Sequence, residues 1–195
     1  MSVLVFLAGP NGAGKSTFFE TYLAGLGIPF VNADRFARLL READPGAAAE
    51  DVDREAFNGA EKLRGAFIDA ELSFCTETVF SDPAGAKLTL LRKARQHGFA
   101  IFLIFIGLSG PQLSIARVAQ RVREGGHDVA DAKLESRFPR TLKNLAAAIP
   151  LADEAFLFDN SSAAAPFRPV AHYARGAVVT RYPPIPAWAQ GLPAL

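Results

Sequence analysis

The stretch Gly9-Pro10-Asn11-Gly12-Ala13-Gly14-Lys15-Ser16 decides the fold. It matches G-x-x-x-x-G-K-[ST] at every fixed position and follows the apolar run Val3-Leu4-Val5-Phe6-Leu7-Ala8. A strand therefore ends, glycines let the backbone curl around an anion, and a helix opens at Ser16 with its unpaired N–H groups aimed at the same anion. Phosphate is the expected guest. Gly9, Pro10, Asn11, Gly12, Ala13, Gly14, Lys15, Ser16 and Thr17 form the expected nucleotide cradle for ATP or GTP. Lys15 supplies a point charge to the β and γ phosphates, and the Ser16 hydroxyl is the expected Mg²⁺ ligand.

Composition bounds the rest. With 195 residues, half of them hydrophobic, the chain can bury one sizeable core, and one domain is expected. A formal net charge of +1 gives no bulk attraction to nucleic acid or to an anionic membrane, so neither is expected as a partner. The single cysteine, Cys75, can form neither an internal disulfide nor a multi-cysteine metal site, and its apolar neighbours suit a buried thiol. No signal-peptide pattern and no membrane-length apolar run is visible, so a cytoplasmic setting is expected.

Along the chain, residues 17–26 read as the helix after the cradle and residues 29–33 as a second strand ending at Asp34, which is placed to cap a helix over 35–42. Residues 47–72 read as a longer helix whose packing face is Val52, Ala56, Ala60, Leu63, Phe67 and Ala70. A short strand over 73–78 follows, and Ser81-Asp82-Pro83 reads as the start of a helix running to 97. The most apolar segment, residues 99–108, suits a central parallel strand buried on both faces. Helices are expected over 111–124 and 131–149, the second kinked or interrupted at Pro139, before a fifth strand over 155–158. Five strands alternating with helices predict a three-layer α/β fold with a five-stranded parallel sheet. Beyond it, residues 170–182 carry Arg175-Gly176 between two β-prone arms and are compatible with a terminal hairpin inside an appendage over 166–195.

In open parallel sheets the ligand sits at the carboxyl ends of the strands, which gives Asp34 and Glu77 priority. A phosphoryl-transfer site needs a group that takes the acceptor's proton, and Asp34 at the end of the second strand suits that role. A plain helix cap is the alternative for Asp34, and a solvated strand end the alternative for Glu77, which otherwise touches metal through water or binds the acceptor beside Thr76 and Thr78. The segment 111–149 reads as a helical lid: Arg117 and Arg121 share a helix face, Gly125-Gly126 supply a hinge, His127 is a lid contact, and Arg137 and Arg140 return on the far side. Such arginines stabilise charge on a transferring phosphoryl group.

Gly9 to Thr17, Asn32-Ala33-Asp34, Thr76-Glu77-Thr78, Arg121-Val122-Arg123, Gly125-Gly126-His127-Asp128-Val129, Arg137-Phe138, Asn144-Leu145 and Phe158-Asp159-Asn160-Ser161 together resemble the zeta toxin family of P-loop kinases, in its small stand-alone bacterial branch. The resemblance implies sheet order 2-3-1-4-5, ATP- or GTP-dependent phosphorylation of a small-molecule hydroxyl, a sugar nucleotide of the UDP-N-acetylglucosamine type as acceptor, and an antitoxin-like protein partner. By position it implies Lys15 and Ser16 on phosphate and Mg²⁺, Asp34 as base, Glu77 and Thr78 on the acceptor, Arg121 and Arg137 on the γ-phosphate, Arg117 near the adenine and Asn160 in the base-binding loop. The alternative function is a nucleotide-dependent binding module or switch without a transferase acceptor; the pairing of Asp34 with a multi-arginine lid favours transfer.

Overall fold

Strand β1 (Val3–Ala8) lies between its neighbours β3 (Phe74–Thr78) and β4 (Ala100–Gly107), both parallel to it, in the computed structural model, which describes residues 1–124 and 128–193. With β2 (Phe30–Val31), β5 (Glu154–Asp159) and the antiparallel pair β6 (Arg168–Ala174) and β7 (Ala177–Arg181), the sheet order is β2-β3-β1-β4-β5-β6-β7. The parallel part follows the expected order. The strand count does not: seven strands among the described residues replace the expected five, because the hairpin turning at Arg175-Gly176 pairs antiparallel with β5 and extends the sheet. Both turn residues have positive φ, 49° and 82°, the geometry of a tight hairpin.

Strand alternation divides the core into two layers. Leu4, Phe6 and Ala8 of β1, with Ile101, Leu103 and Phe105 of β4, face one side, where α3 (Ala49–Asp69), α4 (Ala86–Gln96) and α6 (Asp131–Ala148) pack. Val5 and Leu7, with Ile104 and Ile106, face the other, against Phe18 and Phe19. Apolar burial on both faces is why β4 is so uniformly hydrophobic.

Local differences from the sequence expectations have identifiable causes. The helix after the cradle is α1 (Lys15–Phe18), continued by a π turn at Phe19–Leu23 and a 3-10 turn at Ala24–Leu26; Phe19 there stacks on Phe30 with ring centroids 3.7 Å apart. β2 is shorter than expected because Asn32 turns the chain into α2 (Ala33–Ala43): its Oδ1 accepts the N–H groups of Asp34 at 2.7 Å and Arg35 at 3.3 Å. Asn32 is thus the cap, and Asp34 stands in the first helical turn. In α3 the buried face runs Val52, Ala56, Ala60, Arg64 and Ile68, while Ala70 lies past the helix end. Ser81-Asp82-Pro83 is loop, and α4 begins at Ala86 after a left-handed Gly85, because α6 takes the loop's carbonyls: Arg140 Nε donates to Ser81, and Asn144 Nδ2 donates to Phe80 and Asp82. α6 runs unbroken through Pro139, which sits on its exposed side, where water can pair the Glu135 carbonyl that the ring leaves without a donor. α5 (Pro111–Arg123) begins with proline at its first turn, as expected. The expected hinge Gly125-Gly126 and the contact His127 lie outside the described residues.

Candidate active site

Side chains hold the cradle by its carbonyls. The carbonyls of four successive residues each accept a side-chain donor: Pro10 from Lys15 Nζ at 3.0 Å, Asn11 from Ser114 Oγ at 2.7 Å, Gly12 from Arg117 Nη1 at 3.2 Å, and Ala13 from Asn160 Nδ2 at 2.9 Å. The Ala13 N–H turns back to the Pro10 carbonyl at 3.3 Å, and with the four carbonyls engaged the loop can offer its other N–H groups to an anion, as a nest does. Glycine is required where neighbours press in: a Cβ on Gly9, at φ 150°, would stand 2.2 Å from the Ile106 carbonyl oxygen, and one on Gly14, at φ 86°, 2.8 Å from Asn160 Nδ2. Asn160 is buried, with its other amide atom accepting the Phe167 N–H at 3.2 Å, so both ends of its side chain serve the main chain.

In front of the cradle, Glu77 at the end of β3 gathers three groups. Ser16 Oγ donates to its Oε2 at 3.0 Å, Asn32 Nδ2 donates to the same oxygen at 2.8 Å, and Lys15 Nζ lies 3.8 Å from Oε1. Lys15 is only 6% exposed, and burial pushes its pKa below the ordinary lysine value; Glu77 and Asp34 pull it back up, and Arg121 pushes it further down. Those charges are felt because all three groups converge on the cradle. Because the Ser16 proton points to Glu77, the hydroxyl's lone pairs remain for a metal. Among the described residues no cluster of three or more His, Cys, Asp or Glu could cage an ion, and one hydroxyl with a nearby carboxylate suits Mg²⁺ held mainly by phosphate oxygens and water.

A cavity of about 710 Å³ opens beside the cradle. Asn11 of the cradle, Asp34 of α2, Glu77 and Thr78 of β3, Arg121 of α5 and Arg137 of α6 all line it. An adjoining hollow of about 380 Å³ joins Ser16 to Asn32 and Asp34. The structure thus brings together Lys15, Ser16, Asp34, Glu77, Thr78, Arg121 and Arg137, and leaves Arg117 and Asn160 behind the loop. Thr17 is exposed on α1. Burial, and then the neighbouring Arg140, push the Arg137 guanidinium down from its ordinary value. Thr78 Oγ1 accepts the Phe80 N–H at 3.0 Å, which supports the left-handed Phe80, φ 61°, at the turn that closes the cavity.

Sequence reasoning quoted Asn32 without giving it a role and passed over Ser114, Arg64 and Lys87. Ser114 was detectable from its place one turn before Arg117 and two before Arg121, a single stripe of α5. Arg64, 2% exposed, donates from Nε to Thr76 Oγ1 at 2.6 Å and from Nη2 to the Glu77 carbonyl at 3.2 Å, bracing the strand end that carries Glu77. Cys75 is fully buried and its thiol is pushed up to about 12 by burial and by the Glu77 charge, so it is inert.

Comparison with known proteins gives a family and a fold. The family model described as Zeta toxin matches residues 2–162. An uncharacterized protein of Haemophilus influenzae is 27% identical over 134 residues, 69% of this chain and 91% of that one. Shikimate kinase 2 of Yersinia pseudotuberculosis is 29% identical over 126 residues, 64% of this chain and 65% of the kinase. Among solved structures, the PezAT toxin–antitoxin system of Streptococcus pneumoniae superposes with a TM-score of 0.62 at 15% identity, covering 82% of this chain and 68% of that one. The AvrRxo1-ORF1:AvrRxo1-ORF2 complex, also solved with ATP, superposes at 0.70 with 20% identity, covering 91% and 60%. The chain therefore spans less than two thirds of shikimate kinase 2 and of the AvrRxo1 chain, and the structural likenesses speak to fold.

Proposed function

The chain belongs to the zeta toxin family and is a P-loop kinase, and from that premise we propose that it moves the γ-phosphoryl group of ATP or GTP to a hydroxyl of a small molecule held in the 710 Å³ cavity. One observation carries this: the cradle's Asn11 lines the same cavity as Asp34, Glu77, Thr78, Arg121 and Arg137, so donor and acceptor would share one space. A switch that only hydrolysed nucleotide would need no such second chamber. Lys15 and the loop N–H groups hold the phosphates. Asp34 takes the acceptor's hydroxyl proton as the hydroxyl oxygen attacks the γ-phosphorus, and the β–γ bridging oxygen leaves with the nucleoside diphosphate. Arg121 and Arg137 stabilise the charge spread over the transferring oxygens. When bound, Mg²⁺ would neutralise phosphate charge, with Ser16 as its protein ligand and Glu77 fixing the Ser16 hydroxyl.

A sugar nucleotide of the UDP-N-acetylglucosamine type is the first acceptor to assay, and a cytoplasmic setting supplies the nucleotide. An antitoxin-like protein partner is part of the proposal, supported by the paired assemblies of the PezAT and AvrRxo1 relatives. The test is transfer of labelled γ-phosphate to a metabolite panel by wild type and Asp34→Asn. The asparagine keeps the shape and cannot take a proton, so transfer should fall about 10²- to 10⁴-fold with ATP affinity little changed. Wild-type transfer rates in Asp34→Asn would remove the base assignment, and nucleotide hydrolysis with no acceptor in the panel would favour the switch.

A further inference from the structure

The wall of the cavity formed by α3 and the β3–α4 segment carries charge that the transfer chemistry does not use. Arg64 and Lys87, 2% and 5% exposed, both reach the same oxygen of Glu61. One carboxylate balances one of them. Arg64 also donates to Thr76 and to the Glu77 carbonyl, as described, whereas the Lys87 ammonium has, beyond Glu61, only the face of the Phe57 ring at 5.2 Å, and among the described residues no other acceptor meets it. An ammonium has three donors, and a buried surplus charge is costly unless an anion pairs it. Lys87 lines the cavity.

On the same segment, Asp82 Oδ1 is buried and accepts no hydrogen bond among the described residues, while Oδ2 takes the main-chain N–H of Lys87 at 3.4 Å. No ion pair joins the Asp82 carboxylate to the Lys87 ammonium, so the wall presents a cation and a bare acceptor as separate features. Asp82 also lines the cavity. A buried acceptor without a donor calls for a ligand that brings O–H groups. The second such atom, Asn11 Oδ1, belongs to the cradle and marks the nucleotide end.

We propose that the acceptor is a polyhydroxylated anion, its carboxylate or phosphate ester paired with Lys87 and a hydroxyl donating to Asp82 Oδ1. This rests on the kinase reading for the word acceptor; the anion subsite itself stands on Lys87 and Glu61. Phe57, whose ring lies under the Lys87 ammonium, also lines the cavity and gives such a molecule an apolar flank for its carbon skeleton.

The test has two arms. In the first, thermal unfolding is followed with Mg·ADP at saturation, so that the cradle is filled, while glycerate, glycerol phosphate or glycerol is titrated. Either anion should raise the midpoint of wild type and of Lys87→Arg but not of Lys87→Gln, glycerol should raise none, and the more effective anion identifies carboxylate or phosphate. In the second arm, labelled transfer is measured to matched pairs, sugar phosphates against free sugars and hydroxy acids against their amides. The anionic members should be preferred; Lys87→Gln should raise their KM about 10- to 100-fold with kcat within a few-fold, and Lys87→Arg should recover most of it. Anion stabilisation equal in wild type and Lys87→Gln, or equal use of neutral and anionic members, overturns the proposal and leaves the kinase reading intact. Lys87-dependent anion stabilisation without transfer to any compound supports the subsite and sinks the kinase reading.

Discussion

Replacing Asn32 should damage stability and catalysis together, because one amide serves both. Its Oδ1 accepts two N–H groups at the start of α2 and its Nδ2 holds the Glu77 carboxylate at 2.8 Å. Asn32→Ala removes the cap, a loss of about 0.5–2 kcal/mol, and a hydrogen bond to a charged group at a site only 6% exposed, a loss of about 1.5–3 kcal/mol. The two share a residue and do not simply add, so about 2–4 kcal/mol is expected from urea denaturation with m unchanged. Asn32→Asp separates the parts: the carboxylate still caps, but it faces Glu77 as a like charge. That repulsion raises a carboxyl pKa in the folded state above its unfolded value, so the folded chain binds more protons and stability falls as pH rises through the carboxylate range. The deficit of Asn32→Asp relative to wild type should therefore shrink as pH is lowered from 7 towards 4. An Asn32→Ala protein within 0.5 kcal/mol of wild type, or a deficit in Asn32→Asp indifferent to pH, would refute the proposed double role.

Lys15→Ala should lower nucleotide-dependent turnover by about 10²- to 10³-fold while the protein stays folded, since the charge removed is one that burial already disfavours; unchanged turnover would sink the phosphate role of the loop. Asn160→Ala leaves the Ala13 carbonyl and the Phe167 N–H without their partner, so denaturation should show a loss of about 1–3 kcal/mol and calorimetry a weaker ATP affinity; an unaltered affinity would separate Asn160 from the cradle. The buried Cys75 thiol ionises ordinarily at 9.0 and near 12 when folded. Between those values the unfolded chain sheds a proton that the folded one keeps, so stability falls with rising pH, by about 1.4 kcal/mol at pH 10. Stability curves of wild type and Cys75→Ala that stay parallel from pH 8 to 10 would contradict this.

The cradle was legible because its chemistry is local: eight consecutive residues carry the turn, the charge and the hydroxyl. Glu77 was legible as the polar end of a parallel strand, and Asp34 because it follows β2 closely, although the structure sets it in the first turn of α2. What escaped depends on partners far apart in sequence. Helical periodicity treats a charged residue as solvent-facing, so Leu63 and Phe67 were preferred to Arg64, whose burial is explained only by Thr76 and the Glu77 carbonyl meeting it from β3. Asn32 was hidden by Asp34, an equally good cap two residues on, and the choice between them followed from β2 ending at Val31. The hairpin at Arg175-Gly176 announced its turn but not the strand it would join.

In the proposed reaction, α5 and α6 would serve both substrates. Ser114 and Arg117 on α5 hold two of the cradle's carbonyls. On α6, Arg140 and Asn144 hold the loop that follows β3, and Thr141 Oγ1 adds a hydrogen bond to the Val79 carbonyl at 3.0 Å. Arg121 and Arg137 project into the cavity from these same two helices. The groups that brace the cradle, those that brace the loop after β3 and the two cations lining the cavity are therefore carried on one pair of helices, so in the proposed reaction the relative placement of donor and acceptor would follow from how α5 sits on α6. Positioning of that kind is most of what phosphoryl transfer requires of a protein. A chain with only the eight-residue loop could bind a nucleotide; transfer as proposed would also draw on the bracing of both loops by one helical pair.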